Sequence, residues 1–266
     1  MGGTSPTRVI VLTGGAELQV PVIDFVRRLE SDQNLELVGV FCEADLVGLR
    51  GVAVDLVRRR GLLAIPLLIQ RWLRKLGRLI LEPTLFVQRR HTRHQLESRL
   101  YFTSNLHAPE SLDRIRSVRP QLGLVYGGPI IRPELFQLPS LGTLGIHHGM
   151  TPDYRGKKTT FWAMYNGESS IGVTIQSIGS GLDRGDVILE AKLPVGRAPL
   201  SVVSRRLERL GLDLYLQAID LVRTGAANPI PQSEGSGTLY KDPTMTDLLV
   251  FWTRYLRRLF GSIRET

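Results

Sequence analysis

The sequence predicts an α/β fold in which a mainly parallel sheet is flanked by helices. The first observation is the apolar run "RVIVLTGG", which ends in glycines and is typical of a buried parallel strand. The second observation is the helical pattern "LQVPVIDFVRRLES", which is followed by another apolar run, "LELVGVFCE". A strand, a helix and a strand of these lengths form a βαβ unit, so we expect a Rossmann-like sheet.

A strongly basic segment follows the second strand. Residues 50–119 contain fifteen arginine or lysine residues and five acidic ones. Within this segment "LLIQRWLRKLGRLIL" places its apolar side chains near one helical face and predicts a basic amphipathic helix. Such a helix packs on the core with its basic face in solvent, which we favour, or it lies on an anionic membrane surface. We therefore predict a basic helical insert over about residues 50–105.

Strand and helix patterns alternate again from the end of this segment to Gly225. The strand patterns are "QLGLVYGG", "LGTLGIHHG", "IGVTIQSIG" and "DVILEAKLPV". The helical patterns are "SLDRIRSVRP", "IIRPELFQLP", "TTFWAMYNGE" and the long "PLSVVSRRLERLGLDLYLQAIDLVRTG". We expect residues 1–225 to form one catalytic domain, and residues 226–266 to form a linker and a basic amphipathic C-terminal helix.

Composition narrows the expected partners and location. The net charge is +9 and the sequence pI is about 10.1, which suggests anionic partners such as phosphorylated metabolites, nucleic acid or a membrane surface. The only cysteine, Cys42, excludes an intrachain disulfide and fits a reducing cytoplasm. No apolar stretch reaches roughly 18 residues, so we predict no transmembrane helix. We expect a cytoplasmic protein, with contact to the inner face of the membrane as an open alternative.

His147 and Asp183 are the candidate chemical groups. Side chains alternate along a strand, so His147 shares a face with Thr143 and Gly145, while His148 points to the other face. His147 also lies near the carboxyl end of its strand, where open α/β sheets bind ligands. Asp183 lies in a glycine-bounded turn, and a nearby carboxylate can fix a histidine tautomer and stabilise its protonated form. A structural histidine is the alternative interpretation.

No metal site is predicted. His91, His94 and His107 lie in the basic segment without the cluster of partners that a metal ion requires.

The segments "LGTLGIHHGMTPDYRG", "FWAMYNGESSIGVTI" and "GLDRGDVIL" together resemble the formyltransferase family. That family includes methionyl-tRNA, glycinamide ribonucleotide and sugar N-formyltransferases. The resemblance implies a Rossmann-like formyltransferase fold and formyl transfer from 10-formyltetrahydrofolate, a co-substrate, to a primary amine without a metal. It also implies that His147 and Asp183 are the catalytic residues.

The resemblance extends to two further groups of residues. Those implied to bind the acceptor are Thr143, Gly145, Tyr154, Arg155, Gly156 and Thr174. Those implied to bind the folate, largely through backbone, are Tyr126, Gly127, Gly128, Ile130 and Ile131. For Arg155 an anion contact and a loop-bracing salt bridge remain alternatives, and Thr174 lines the site or is simply a strand residue.

The sequence departs from the family at Gly145, where the motif has an asparagine. The asparagine amide would donate a hydrogen bond to the formyl oxygen, and losing one such donor costs roughly 10²–10³ in rate. Three accounts are open. Thr143 or another group replaces the amide, the space admits a different group, or the protein binds without transferring.

The expected acceptor is a small-molecule amine, with a nucleotide-linked amino-sugar of glycan synthesis as the leading candidate. Only residues 226–266 follow the last long helix, whereas the tRNA enzymes of the family carry a further barrel domain, so tRNA is not the expected partner. Two rival functions are a catalytically impaired folate or amino-metabolite binding module and a formyl-folate hydrolase. The sequence does not predict an oligomeric state.

Overall fold

The computed structural model of the protein describes residues 5–15, 18–44, 95–233 and 237–260. Most of the predicted basic insert, including "LLIQRWLRKLGRLIL", lies outside the described residues, as do His91 and His94. The chain forms two compact units. The first comprises residues 1–119 and 126–129, and the second comprises residues 120–125 and 130–266. The predicted division at residue 226 is not the boundary between these units and stays a prediction.

The first unit contains the predicted βαβ arrangement. Its elements are β1 (Thr7–Gly14), α1 (Val20–Glu30), β2 (Leu35–Glu43), β3 (Leu100–Thr103) and α2 (Pro109–Ser117). The strands are parallel in the order β3-β2-β1. The apolar residues at the centre of β1 are fully buried, as a parallel strand requires. Helix α1 buries one apolar face and ends with two arginines, which favour the negative end of a helix.

The second unit contains a mixed sheet, a strand pair and four helices among its described residues. Its elements are β4 (Leu122–Val125), α3 (Pro133–Phe136), β5 (Thr143–His147), β6 (Tyr154–Gly156), α4 (Thr159–Tyr165), β7 (Ser170–Ser177), β8 (Val187–Pro194), α5 (Leu200–Arg223), β9 (Thr238–Tyr240) and α6 (Met245–Phe260). The sheet order is β4-β5-β7-β8. Strands β4 and β5 are parallel, and β7 and β8 run antiparallel to their neighbours. The predicted α/β class, mainly parallel and flanked by helices, is confirmed.

Helix α5 fixes the position of β5. Its apolar face packs on β5, β7 and β8. The hydroxyl of Tyr215, fully buried on this helix, donates to the carbonyl of Leu144 on β5 at 2.8 Å. Burial also raises the pKa of Tyr215 well above its ordinary value, so the phenol remains a hydrogen-bond donor. The helix therefore anchors the strand that ends at His147 and leads directly into His148.

The segment after α5 contains more structure than the predicted linker and helix. Strand β9 pairs in parallel with β6, and the pairing places Gly156 opposite Tyr240. Gly156 has a φ of +90°, and a Cβ there would lie 2.3 Å from the carbonyl oxygen of Tyr240. Only glycine allows this approach, because other residues rarely adopt such a φ. Sequence patterns missed β9 because it has only three residues in a glycine- and proline-rich segment.

The predicted C-terminal helix is present as α6. Its Phe251 is buried against Phe161 of α4, with ring centroids 4.8 Å apart. Its Arg254 donates to the carbonyl of Tyr165 at 2.9 Å and lies over that ring. Across the described residues, every helix is too short or too polar to be a candidate membrane span.

Candidate active site

His147 is the last residue of β5, and its side chain is buried, with 8% of its surface exposed. Its Nε2 atom lies 2.7 Å from the carbonyl oxygen of Tyr154. A carbonyl can only accept a hydrogen bond, so Nε2 carries the proton in the neutral ring. The lone pair is then on Nδ1, which makes Nδ1 the basic nitrogen.

Asp183 lies beside that basic nitrogen. It occupies the turn between β7 and β8 with a φ of +52°, a left-handed conformation that is uncommon outside glycine. One carboxylate oxygen accepts the backbone N–H of Gly156 at 2.8 Å, and the other lies 3.5 Å from Nδ1 of His147. The structure therefore brings together the two residues that the sequence predicted as catalytic, at ion-pair distance.

The pKa of His147 is lowered from its ordinary value. Burial is the main cause, and it outweighs the raising effects of the Asp183 charge and the Tyr154 carbonyl, while His148 lowers it further. The ring is therefore neutral at neutral pH and can accept a proton at Nδ1. The Asp183 carboxylate would stabilise the imidazolium that forms there.

Strand β6 supplies a backbone group to each member of this pair. The Tyr154 carbonyl holds His147, and the Gly156 N–H holds Asp183. The side chain of Tyr154 stacks on Tyr240 of β9 at 5.2 Å, and Tyr240 stacks in turn on Trp162. Burial raises the pKa of Tyr154 to about 12. The β6–β9 pair thus fixes the backbone that positions the site.

Gly149 makes the His147 hydrogen bond possible, and the sequence analysis did not identify it. A Cβ on Gly149 would lie 2.6 Å from the Tyr154 carbonyl oxygen and 2.8 Å from Nε2 of His147. The hydroxyl of Thr174, predicted to line the site, donates to the Gly149 carbonyl at 2.8 Å. In the structure Thr174 therefore braces the loop after β5. The glycine directly after the two histidines was the signal that could have indicated this close approach.

The space at Gly145 is occupied. A Cβ there would lie 2.6 Å from Cδ1 of Ile178, so an apolar side chain fills the place where the resemblance implies an amide. The hydroxyl of Thr143 donates to the Phe136 carbonyl at 2.9 Å. Gln176 pairs with Gly145 across the sheet and is therefore on the same face. The role of Thr143 stays a prediction, and Gln176 was not among the predicted site residues.

Arg155 is buried, with 7% of its surface exposed. Its Nη2 atom lies 3.4 Å from the Gly237 carbonyl oxygen. Among the described residues its Nε has no hydrogen-bond partner, and the guanidinium has no carboxylate within ion-pair distance. The salt-bridge alternative thus gains no support from the described part of the chain, and the anion contact stays a prediction.

The predicted folate residues fall in both units. In the first unit Tyr126 is buried and stacks on Phe25, and the Gly127 carbonyl accepts the N–H of Gly14 at 3.2 Å. Gly127 and Gly128 are exposed, so their backbone is available to a ligand. In the second unit Ile131 is buried and Ile130 is 70% exposed. Their assignment to folate binding stays a prediction.

His148 directly follows β5 and, together with His147, lines a cleft. Its Nε2 atom is 3.1 Å from Oε2 of Glu208 on α5. The cleft has a volume of about 300 Å³, and its lining includes His147, His148, Glu208 and Ser204. In the described residues no group of three or more histidine, cysteine or acidic side chains is arranged to hold a metal ion.

Comparison with known proteins identifies sequence relatives of this chain. A methionyl-tRNA formyltransferase from Synechocystis sp. is 29% identical over 58% of this chain and 48% of its own length. Another, from Pelotomaculum thermopropionicum, is 34% identical over 56% of this chain and 48% of its own length. A third, from Roseiflexus sp., is 26% identical over 94% of this chain and 67% of its own length. The chain spans about half the length of the first two.

Solved structures share the fold. Glycinamide ribonucleotide transformylase 1 from Geobacillus kaustophilus matches with a TM-score of 0.56 and 17% identity, over 82% of this chain and 98% of that one. A sugar N-formyltransferase from Shewanella sp. matches with a TM-score of 0.57 and 13% identity, over 92% of this chain and 86% of that one. The predicted Rossmann-like formyltransferase fold is therefore confirmed.

One expectation is corrected. We predicted from the sequence that tRNA is not a partner of this protein. The relatives named above are methionyl-tRNA formyltransferases, so that exclusion is wrong. The length of the segment after α5 does not exclude tRNA, because the similarity to these relatives lies in the part of the chain that carries the site. The family model described as "Formyl transferase" matches residues 81–219, just over half of the chain. The chain belongs to the formyl transferase family.

Proposed function

We propose that this protein transfers a formyl group from 10-formyltetrahydrofolate, the donor used by its family, to a primary amine. One observation carries the proposal. A buried imidazole, His147, has its Nε2–H committed to a backbone carbonyl, and its basic Nδ1 lies 3.5 Å from a carboxylate oxygen of Asp183. This arrangement suits a general base that must be neutral before the reaction and charged during it.

The residues have distinct roles in this proposal. Nδ1 of His147 accepts the proton that the attacking amine releases as its nitrogen bonds to the formyl carbon. Asp183 stabilises the positive charge once Nδ1 is protonated, while the Tyr154 carbonyl orients the ring and fixes the tautomer. The oxyanion donor is the component that Gly145 does not supply. An amide donor for it would have to come from a neighbouring position, and Gln176, which pairs with Gly145 across the sheet, carries an amide.

The folate site is proposed at the segment from Tyr126 to Ile131. Exposed glycine backbone at Gly127 and Gly128 suits a flat heterocycle that is held by main-chain hydrogen bonds. In the first unit the buried side chain of Tyr126, which precedes these glycines, holds that backbone in place.

The acceptor is proposed to be an amine that carries phosphate. The net charge of +9 favours anionic acceptors, which include both a nucleotide-linked amino-sugar and an aminoacyl-tRNA. Similarity to methionyl-tRNA formyltransferases supports the second class. The first class is the acceptor that the sequence led us to expect. A direct assay with both classes decides between them.

The test is an assay of tetrahydrofolate release by the purified chain with 10-formyltetrahydrofolate. Methionyl-tRNA and a set of nucleotide-linked amino-sugars are supplied separately, with a reaction that lacks amine as control. We expect release that depends on one amine class and is lost in His147→Asn. Formate release without amine would indicate a hydrolase instead, and donor binding without any turnover would indicate a binding module. Either result would contradict the proposal.

A further inference from the structure

A second imidazole–carboxylate pair lies one residue from the first. His148 and Glu208 approach to 3.1 Å, and their side chains are 30% and 29% exposed. The Nε2 atom of His148 is itself buried and makes no hydrogen bond of good geometry among the described residues. The pair is thus partly removed from water yet open at one side, unlike a solvated surface pair.

The fold of α5 against β5 creates this pair. Gly211 lies less than one helical turn beyond Glu208, where a Cβ would be 2.8 Å from Cδ1 of Ile146 and 3.6 Å from Nε2 of His148. The missing side chain lets the strand approach the helix closely. The approach brings His148 against Glu208.

The pair and the proposed base face the same cleft. His147, His148 and Glu208 all line the space of about 300 Å³, which is at the lower end of the range for small-molecule sites. Ser204, one turn before Glu208, adds a hydroxyl to the same wall, and the exposed Lys158 adds a cation. The cleft thus offers a carboxylate, hydroxyls and an ammonium within reach of one small polar molecule.

We propose that Glu208, together with His148, is the ammonium subsite that takes the acceptor amine in its protonated form and places it beside His147. This inference rests on the proposed function. Most primary amines are ammonium ions at neutral pH, because their pKa values lie near or above 8. A partly desolvated carboxylate is the protein group that binds such an ion best. Lys158, in the same cleft, suits an anionic group elsewhere on the acceptor.

The protons balance in this scheme. The bound ammonium loses one proton to the His148–Glu208 pair, which returns it to solvent. The free amine then bonds to the formyl carbon as the donor's own carbon–nitrogen bond breaks. The second amine proton passes through Nδ1 of His147 to the leaving nitrogen. One proton is released per turnover, as conversion of an ammonium ion to a neutral formamide requires.

The inference is tested by binding, without turnover. Two amine probes, D-glucosamine and L-methioninamide, represent the two acceptor classes, and each is compared with its uncharged N-acetyl form. Binding is followed by calorimetry and by the NMR signals of the histidine rings. We expect at least one amine to bind about tenfold more tightly than its N-acetyl form, as one charge-assisted contact predicts.

Two variants test whether the preference for the amine depends on Glu208. Glu208→Gln keeps the shape of the side chain and removes its charge, and it should abolish the preference for the amine. Glu190→Gln removes the same charge from an exposed position on β8 and should leave the preference intact. If Glu208→Gln does not fold, the ratio of the dissociation constants of the amine and N-acetyl probes in the unchanged protein still tests the ammonium subsite.

The outcomes separate this inference from the proposed function. Equal binding of amine and N-acetyl forms, no binding of either amine, or a preference that survives Glu208→Gln would each overturn the ammonium subsite. The formyl-transfer assay could still succeed in those cases. Conversely, an amine preference that depends on Glu208, in a protein that transfers no formyl group to any acceptor, would support the subsite and contradict the proposed function.

Discussion

His147, the last residue of β5, and His148, the residue after it, have different environments. His147 is buried and hydrogen-bonded to backbone, and it faces Asp183, whereas His148 is 30% exposed and faces Glu208 on α5. His147 ends the strand and His148 begins the loop after it, and both line the same cleft. Adjacent positions can therefore serve different purposes, here a proposed proton acceptor and a proposed binding group.

The His147–Asp183 pair and the His148–Glu208 pair are held in place by different parts of the fold. Backbone atoms of β6 fix both members of the His147 pair, so its geometry depends on strand pairing with β9. The His148 pair depends on one helix and the close approach at Gly211. Changes to the first pair should therefore alter the rate of chemistry, and changes to the second should alter acceptor binding.

The largest expected effect is on the His147 pair. His147→Asn and Asp183→Asn should each lower the turnover rate by about 10²–10⁴, the usual contribution of general acid–base catalysis. Donor binding, measured by calorimetry with 5-formyltetrahydrofolate, should stay unchanged, because neither residue is proposed to hold the folate. An unchanged turnover rate in both variants would rule out this pair as the catalytic centre.

Breaking the strand pair that supports the site should have the next largest effect. Gly156→Ala places a Cβ 2.3 Å from the Tyr240 carbonyl oxygen at a φ of +90°. We expect a loss of about 1–3 kcal/mol in the free energy of unfolding and a roughly 10²-fold lower turnover rate from misplacement of the pair. Denaturant unfolding and steady-state kinetics measure the two effects.

Gly167→Ala is the matched control for that variant. Gly167 has a similar φ of +85°, but a Cβ there meets nothing within 4 Å. Gly167→Ala should lower the free energy of unfolding because of the unfavourable φ alone, and it should leave the turnover rate unchanged. Equal kinetic defects in the two variants would show that the β6–β9 pair does not position the site.

The occupied space at Gly145 gives a prediction about the missing amide. Gly145→Asn alone should destabilise the protein by about 1–3 kcal/mol, because its Cβ would lie 2.6 Å from Ile178. Combined with Ile178→Ala, the asparagine has room, and the turnover rate should exceed that of Ile178→Ala alone by about tenfold or more. Kinetics of the three variants test this, and a double variant slower than Ile178→Ala would show that no amide is needed at this position.

The pH dependence of the rate should report the protonation of His147. Burial lowers the pKa of His147 below 6.5, so the turnover rate should stay level through neutral pH and fall only in more acidic solution. Because the Asp183 charge raises this pKa, Asp183→Asn should move the acidic limb to still lower pH. A limb that moves to higher pH in Asp183→Asn would contradict the assignment.

The smallest expected effect is on the pH dependence of the free energy of unfolding. The unfolded chain protonates His147 near pH 6.5, whereas the folded chain does so only at lower pH. Its contribution to stability is therefore present above pH 6.5 and is lost as pH falls through the interval down to the folded pKa. We expect the free energy of unfolding, measured with denaturant at several pH values in this interval, to change less steeply with pH in His147→Asn than in the unchanged protein. An unchanged slope would show that His147 does not titrate with a lowered pKa.

Sequence patterns predicted the features that have a local signature. Apolar runs located β1 and β2, and motif resemblance identified His147 and Asp183 before their proximity was known. The Tyr154 carbonyl was missed because backbone atoms have no residue signature. Glu208 was missed because it lies 60 residues from His148 on a helix whose pattern looks ordinary. The contact of Ile178 with Gly145 depends on strand register, which the pattern of either segment alone does not contain.

The most direct test of the central claim traces the formyl group itself. The chain and its His147→Asn variant are each given 10-formyltetrahydrofolate with an isotope in the formyl carbon, plus the amine that supports turnover. The account predicts that the isotope appears in the N-formyl product of the unchanged protein and falls to background in His147→Asn. Isotope recovered as formate whether or not amine is present, or equal labelling of the product by both proteins, would contradict it.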